Sequence, residues 1–235
     1  MEVTKKVSVI LPTYNEKGNI IELINALKEQ LSLIKVEKEI VVVDDNSPDQ
    51  TGKIVQDAFA NDKGVRVFIR KEERGLATAI RYGIEKSTGD FIVVMDTDFN
   101  HDPKMIPQMV EFLKYYDVIG GSRFTLGGGM KPVYRYLGSF FYNLFIRIIL
   151  RTQIQDNLSG FFSIRRDKLF SLDFDKIFFG YGDYFFRLLF YALKEKCKIL
   201  ETPVFYQSRK SGESKTNLLP VLFRYTIALL KLRFL

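Results

Sequence analysis

Five short apolar or β-branched runs, Val7 to Leu11, Glu39 to Val43, Val65 to Arg70, Phe91 to Met95 and Asp117 to Gly120, alternate with stretches whose apolar residues recur at helical spacing. This alternation predicts an α/β fold with a largely parallel sheet and helices on both of its faces. Ile20, Leu23, Ile24 and Leu27 mark the buried side of the first helix. Leu76, Ile80, Gly83, Ile84 and Ser87 mark that of the third, and Pro103 suits the first turn of the fourth. With 235 residues, 46% of them hydrophobic, the chain can bury the core of one such domain plus an appendage and is too short for two full domains.

In sheets of this kind ligands bind beyond the carboxyl ends of the strands, which places Pro12 to Glu16, Asp44 to Thr51 and Asp96 to Asn100 along one crevice. The third of these loops follows the segment FIVVMDTDFNHDP, a strand that ends in two carboxylates, Asp96 and Asp98. Two carboxylates held close together need a compensating cation, and a hard divalent ion such as Mg²⁺ or Mn²⁺ prefers oxygen ligands of this kind. Such an ion would also hold a diphosphate; the competing assignment is a solvated turn in which Asp98 or Asn100 makes a local cap. The first loop, Leu11-Pro-Thr-Tyr-Asn-Glu16, offers a rigid turn, the Tyr14 ring to lie on a base, and a carboxylate. In the second, Asp45 is assigned to a ligand as an acceptor for ribose or base N–H groups, whereas Asp49 and Thr51 are assigned to capping the helix that begins near Gly52.

The formal charge of +7 is concentrated toward the end of the chain, where residues 194 to 235 carry nine Lys or Arg against Glu195, Glu201 and Glu213. Of the 33 Phe and Tyr, 23 follow residue 130. From Val133 to Arg151 apolar residues cover most of a helix, Arg135, Ser139, Asn143, Arg147 and Arg151 form a narrow stripe at four-residue steps, and no acidic residue intervenes. That combination suits the headgroup region of a membrane with anionic lipids, the alternative being a buried helix or a dimer contact. Leu218 to Leu235, with Arg224, Lys231 and Arg233, repeats the pattern and is too short for the ~20 residues of a spanning helix. Charges interleaved with Leu and Ile make a poor phosphate-tracking face, so no nucleic-acid partner is expected. No secretory h-region is seen and the single Cys197 excludes an internal disulfide, so a cytosolic start and peripheral membrane contact are expected.

Together the three loops resemble those of the inverting family 2 glycosyltransferases of the GT-A fold. The likeness extends through Gly121-Ser-Arg123, Gly127-Gly-Gly129, Arg135 with Ser139, Asp156-Asn-Leu-Ser-Gly-Phe-Phe-Ser-Ile-Arg-Arg166 and Arg209-Lys-Ser-Gly-Glu-Ser-Lys215, which look like segments of the polyprenyl-phosphate sugar synthases. It implies a transferase domain over residues 1–216, containing the 131–151 helix, followed by an amphipathic helix over 217–235. It implies that Pro12, Tyr14, Glu16, Val43 and Asp45 line a nucleoside pocket, and that Asp96, Thr97 and Asp98 serve the diphosphate and metal, with Asn100 as a third metal ligand. Arg123, Arg209 and Lys215 would contact phosphates, and Arg135 with Ser139, aided by Arg209, would hold the phosphate of a lipid acceptor. The donor would be GDP-mannose or a UDP-sugar and the acceptor a polyprenyl (dolichyl) phosphate at the cytoplasmic face of a membrane. A membrane-anchoring partner subunit is compatible with this scheme.

Two departures stand out. The family usually has Gln where this chain has Asn100, whose reach is one methylene shorter, so water can replace that ligand. Asp183, in Phe179-Gly-Tyr-Gly-Asp183, has three roles open to it: a catalytic base, a partner for Arg187 at i, i+4, or a helix cap. His101, the only histidine, is assigned a structural role behind the metal loop, and the Gly127 to Gly129 run and the Ser208 to Ser214 loop are read as mobile covers or as plain connectors. A non-catalytic, nucleotide-binding membrane subunit is the reading from another class.

Overall fold

The computed structural model describes residues 4–206 and 218–234, with Leu218 and Leu219 as backbone only. The first half alternates as expected: β1 (Lys6–Thr13), α1 (Ile20–Ser32), β2 (Glu37–Asp44), α2 (Thr51–Ala58), β3 (Val65–Ile69), α3 (Leu76–Lys86) and β4 (Phe91–Val94). A 3₁₀ turn at Pro103–Met105 leads into α4 (Ile106–Phe112). Then follow β5 (Val118–Ser122), β6 (Gly129–Met130), the long helix α5 (Val133–Leu150), β7 (Phe162–Arg165), α6 (Arg166–Leu169), α7 (Phe174–Ile177) and α8 (Tyr184–Lys194). The described chain ends with β8 (Ile199–Pro203), β9 (Phe205–Tyr206) and α9 (Leu218–Phe234).

The main sheet has the order β3-β2-β1-β4-β7-β5-β8. Every neighbouring pair is parallel except those of β7, which runs antiparallel between β4 and β5. Strands β7 and β8 are absent from the sequence expectation. Phe162–Arg165 alternates apolar and polar residues over only four positions inside the segment read as a family motif, and Ile199–Pro203 carries Glu201 and Pro203, both of low strand preference.

Alternation of side chains sorts the core into two layers. Val7, Val9 and Leu11 of β1 pack with Ile20, Leu23, Ile24 and Leu27 of α1 and with Met109 of α4. Ile10 points the other way, into a layer with Val43, Ile80 and Ile84 and the aromatic side chains of β7 and α8. Helix α3 approaches the sheet closely because Gly83 has no side chain: a Cβ there would lie 2.5 Å from Ile10 Cγ2 and 3.1 Å from Val43 Cγ2. A third cluster joins Val221, Tyr225, Leu229 and Leu232 of α9 to Ile146 and Leu150 of α5 and Phe186 of α8. Among the described residues no helix is long and apolar enough to cross a membrane.

Helix α5 matches its expected span, but its polar stripe is not all turned to water. Asn143 is buried and accepts from the Asn157 N–H at 2.7 Å, whereas Val133, Tyr134, Phe141 and Ile148 are each more than 60% exposed. The tri-glycine run is not a free cover either. Gly129 pairs with Phe205 in a short parallel ribbon, a Cβ on it would lie 2.7 Å from the Phe205 ring, and one on Gly128 would lie 2.5 Å from the Ser122 carbonyl. The Ser208 to Ser214 loop lies outside the described residues.

At the amino-terminal edge of the sheet, buried Glu39 gathers several donors. Ser8 Oγ at 2.5 Å, the Thr88 N–H at 2.8 Å and Arg66 at 2.7 Å all reach its carboxylate. Burial alone would raise the Glu39 pKa, but these hydrogen bonds outweigh it and hold the group below the ordinary glutamate value.

Two outcomes are expected in denaturation experiments. Gly83→Ala should destabilise the fold by about 1–3 kcal/mol through overpacking against Ile10, less the fraction of a kcal/mol that alanine gains in a helix; an unchanged midpoint would show that α3 has room to move. Glu39 titrates at lower pH folded than unfolded, so its contribution is complete above about pH 4.3 and is lost as pH falls through the lower folded value. The stability gap between the wild type and Glu39→Gln should therefore narrow toward pH 3, and a gap independent of pH would contradict the assignment.

Candidate active site

Strands β1, β2 and β4 are neighbours at the centre of the sheet, and their carboxyl ends open on one cleft of about 640 Å³. Its wall includes Pro12, Thr13, Tyr14 and Glu16 after β1, Asp45 after β2, and Asp96, Thr97 and Asp98 after β4. The turns that deliver them contain non-glycine residues in the left-handed region: Asn15 (φ 56°), Asn46 (φ 51°) and Gln50 (φ 64°), and Phe99 (φ 62°) in the carboxylate loop. Such conformations are uncommon, especially for an aromatic residue, and persist because neighbouring contacts impose them.

The first two loops are tied to each other. The Asn15 N–H donates to Ser47 Oγ at 2.9 Å, the Glu16 N–H to Thr51 Oγ1 at 3.0 Å and the Lys17 N–H to Asp49 at 3.1 Å. Asp49 also accepts from the Thr51 N–H at 3.0 Å at the first residue of α2, but the N-cap position is Gln50, which makes no side-chain cap, and the Thr51 hydroxyl ties Glu16 to Asp49 instead of capping the helix. Asp44 closes its own turn by accepting from the Ser47 N–H and hydroxyl. Asp45 lines the cleft with both oxygens engaged: Arg70 donates to one from Nε at 2.7 Å, and the Gly75 N–H to the other at 2.8 Å. Its ligand role would thus act together with Arg70. Val43 is fully buried in the core and is not part of the cleft wall.

In the carboxylate loop, Asp98 accepts from the Asn100 N–H at 3.1 Å and from the Asn100 amide at 2.9 Å, while the Asp96 side chain remains 49% exposed toward the cleft. The residues present fit a hard cation: both carboxylates lie on one wall, and Asn100 sits against Asp98. Among the described residues no cluster of three or more His, Cys, Asp or Glu could hold a metal, so a cation at this place would depend on ligand oxygens or water to complete its shell. His101 lies behind the loop, fully buried, stacked on Phe161 at 4.8 Å and tilted against Tyr206 at 4.9 Å. Its Nδ1 accepts from the Asp96 N–H at 2.9 Å, and burial lowers its pKa to about 4, so the ring is neutral at pH 7.

Four expected site residues, Arg123, Asp183, Arg135 and Ser139, fall elsewhere. Arg123 is buried and donates from Nε and a terminal nitrogen to the two oxygens of Asp156, each at 2.7 Å; it is not on the cleft wall. Burial opposes its charge, and the buried Asp156 more than offsets that, so its pKa is raised. Its guanidinium is therefore engaged by an internal ion pair in this structure. Asp183 is paired with Arg187, accepts from the Tyr181 N–H at 2.8 Å and makes no side-chain cap; of its three roles the ion pair is the one present. Arg187 in turn reaches the carbonyls of Ile177, at 3.0 Å, and Phe179, so the pair shapes the turn that brings Tyr181 to the cleft. Arg135 is exposed on the first turn of α5 and Ser139 is half-buried one turn on, neither on the cleft wall. Arg209 and Lys215 lie outside the described residues.

The cleft also recruits Arg74, Leu76, Ala79, Tyr181, Pro220, Val221 and Arg224, none of them assigned to the site from the sequence. The Arg74 guanidinium lies 3.5 Å from the centre of the Tyr14 ring. A basic residue just before the glycine that opens α3 was the available signal for Arg74; Tyr181 and Arg224 come from elements whose docking no local pattern encodes.

Residues 8–171 match the family model described as Glycosyl transferase family 2. The chain belongs to that family. It is 38% identical over 89% of its length to a dolichol-phosphate mannosyltransferase of Pyrococcus furiosus, of which it spans 59%. To an undecaprenyl-phosphate mannosyltransferase of Micrococcus luteus it is 33% identical over 90% of its length and 88% of the relative. A dolichol-phosphate mannosyltransferase of Saccharomyces cerevisiae shares 34% identity over 69% of this chain and 61% of its own. In fold, the chain resembles glucosyl-3-phosphoglycerate synthase of Mycobacterium tuberculosis in complex with Mn²⁺, UDP and phosphoglyceric acid, with a TM-score of 0.73 at 21% identity over 98% of this chain and 79% of the other. The same enzyme with Mg²⁺ and UDP gives a TM-score of 0.71 at 21% identity, covering 97% and 79%. The architecture is accordingly GT-A-like.

Removing one member of the Arg123 pair should leave a charge stranded in the interior. Asp156→Asn is expected to destabilise the protein by about 3–5 kcal/mol, read from urea midpoints; a loss below about 1 kcal/mol, the range of a surface pair, would show that the pair is solvated.

Proposed function

We propose that this protein transfers a sugar from a nucleotide donor, mannose from GDP-mannose, onto the phosphate of a polyprenyl monophosphate, with inversion at the anomeric carbon. The observation that carries the reading is the placement of Asp96 and Asp98 on one wall of a cleft whose rim is formed by the partly exposed apolar helix α9. The names of the three mannosyltransferase relatives support the lipid-phosphate acceptor and the mannosyl group. UDP in the structurally similar synthase favours a second reading in which the donor is a UDP-sugar.

In this mechanism an acceptor phosphate oxygen forms a bond to the anomeric carbon while the bond to the diphosphate breaks, and its electron pair leaves with the nucleoside diphosphate. A phosphate monoester has its second pKa near 6 and arrives largely deprotonated at neutral pH, so no side chain has to remove a proton. That agrees with the site: Asp183 is committed to Arg187 and His101 is neutral and enclosed. Tyr14 and Asp45, with Arg70, would orient the nucleoside, and Glu16 would border the ribose. Asp96 and Asp98, with Asn100 or a water, would hold Mg²⁺ or Mn²⁺, which supplies neutralisation of charge on the departing diphosphate.

Peripheral association with the cytoplasmic face of a membrane belongs to the same reading. Supporting it, Phe141 and Ile148 of α5 and Phe223 and Phe234 of α9 are each more than 60% exposed, and Lys231 and Arg233 lie at the end of α9. These residues suit apolar insertion with attraction to anionic lipids, with or without an anchoring partner subunit.

Incubation with dolichyl phosphate, Mg²⁺ or Mn²⁺ and labelled GDP-mannose should move label into an acid-labile lipid, and Asp98→Asn should reduce the rate by about 10²–10³-fold. Label transferred from UDP-glucose alone would select the second reading. Label in a hydroxyl-linked glycan alone, or full activity in the variant, would overturn the proposal.

A further inference from the structure

Among the described residues the cleft wall carries four carboxylates, Glu16, Asp45, Asp96 and Asp98, and two arginines, Arg74 and Arg224. Arg74 is laid against the Tyr14 ring. Arg123 is taken up by Asp156, and Arg135 stands off the wall. Two anionic substrates that must meet in this cleft repel each other and need a cation between them. Arg224 is placed to supply it.

Its position follows from the three sides of α9. Val221, Tyr225, Leu229 and Leu232 are buried against α5 and α8. Phe223, Ile227, Leu230 and Phe234 are exposed. Arg224 is exposed and differs from both in being charged: with Pro220 and Val221 it lines the same cleft as Asp96 and Asp98. Among the described residues nothing pairs with its guanidinium, in contrast to Arg70, Arg123 and Arg187, each of which is engaged by a carboxylate.

Resting on the function proposed above, we propose that Arg224 binds and positions the phosphate of the lipid acceptor. The acceptor rather than the donor is its partner because Phe223, the preceding residue, and Ile227, three further on, are exposed apolar side chains on the same helix. A phosphate attached to an isoprenoid chain enters from the side where its chain finds apolar contact, whereas the donor is served from the carboxyl ends of the strands. The guanidinium fork suits a phosphate better than an ammonium does, since it can make two parallel hydrogen bonds to it. Being on the cleft rim, Arg224 is also set apart from the cations at the end of α9 that suit bulk lipid headgroups.

Transfer from GDP-mannose to dolichyl phosphate in phosphatidylcholine vesicles, measured over a range of acceptor concentrations for the wild type, Arg224→Gln and Arg224→Lys, tests this. The acceptor KM should rise about 10–100-fold in Arg224→Gln, the loss expected for a hydrogen-bonded charge, and less in Arg224→Lys. The KM for GDP-mannose, GDP binding without acceptor, and sedimentation with phosphatidylcholine–phosphatidylglycerol vesicles should not change. An unaltered acceptor KM, an equal rise in the donor KM, or a loss of vesicle binding that accounts for the defect would each overturn the assignment. A wild-type protein that labels no lipid phosphate from GDP-mannose or UDP-glucose would instead remove the function on which the assignment rests.

Discussion

Like charges brought to the same end of three adjacent strands repel each other, and much of the loop structure can be understood as the answer to that repulsion. Asp44 is consumed by its own turn, Asp49 by the start of α2, Asp45 by Arg70 and a backbone amide, and Asp98 by Asn100. Each of these contacts also fixes a turn, three of which hold residues in the left-handed region. Asp96 is left with about half its side chain exposed toward the cleft. The geometry of the cleft is therefore a by-product of how its acids are hydrogen-bonded and, at Asp45, ion-paired.

The parallel half of the sheet was legible because its strands are buried on both faces and read as continuous apolar runs. The carboxylates of β4 and the aromatic turn after β1 were legible for a related reason: polar residues that abruptly end a buried strand must sit at its edge. What could not be read are the pairings that depend on distant segments. Strand β7 enters the sheet in the reverse direction after the excursion through α5, and its four residues carry no mark of that direction. Arg224 reaches the cleft only because α9 folds back over α5 and α8, a docking of two surfaces that single-helix periodicity does not specify.

Arginine assignments show the same limit more sharply. A sequence shows a positive side chain but not whether an acid will meet it. Arg123 and Asp156 are 33 residues apart and find each other in the interior, with both oxygens of Asp156 bound and the Tyr206 ring 4.9 Å from the guanidinium. Asp183 and Arg187 are only one helical turn apart, and there the spacing itself was a sufficient clue. Functional cations in this fold are best sought among arginines with no such companion.

The two-residue ribbon of β6 and β9 has a mechanical meaning. β6 stops just before α5, so the start of α5 is held next to the strand that carries Tyr206. The ring of Tyr206 rests against His101, and His101 holds the amide of Asp96. Slipping that clasp by one residue would turn Tyr206 away from the imidazole and unseat the support beneath the acidic loop, which makes this pairing, the shortest among the described residues, one of those least able to tolerate an insertion.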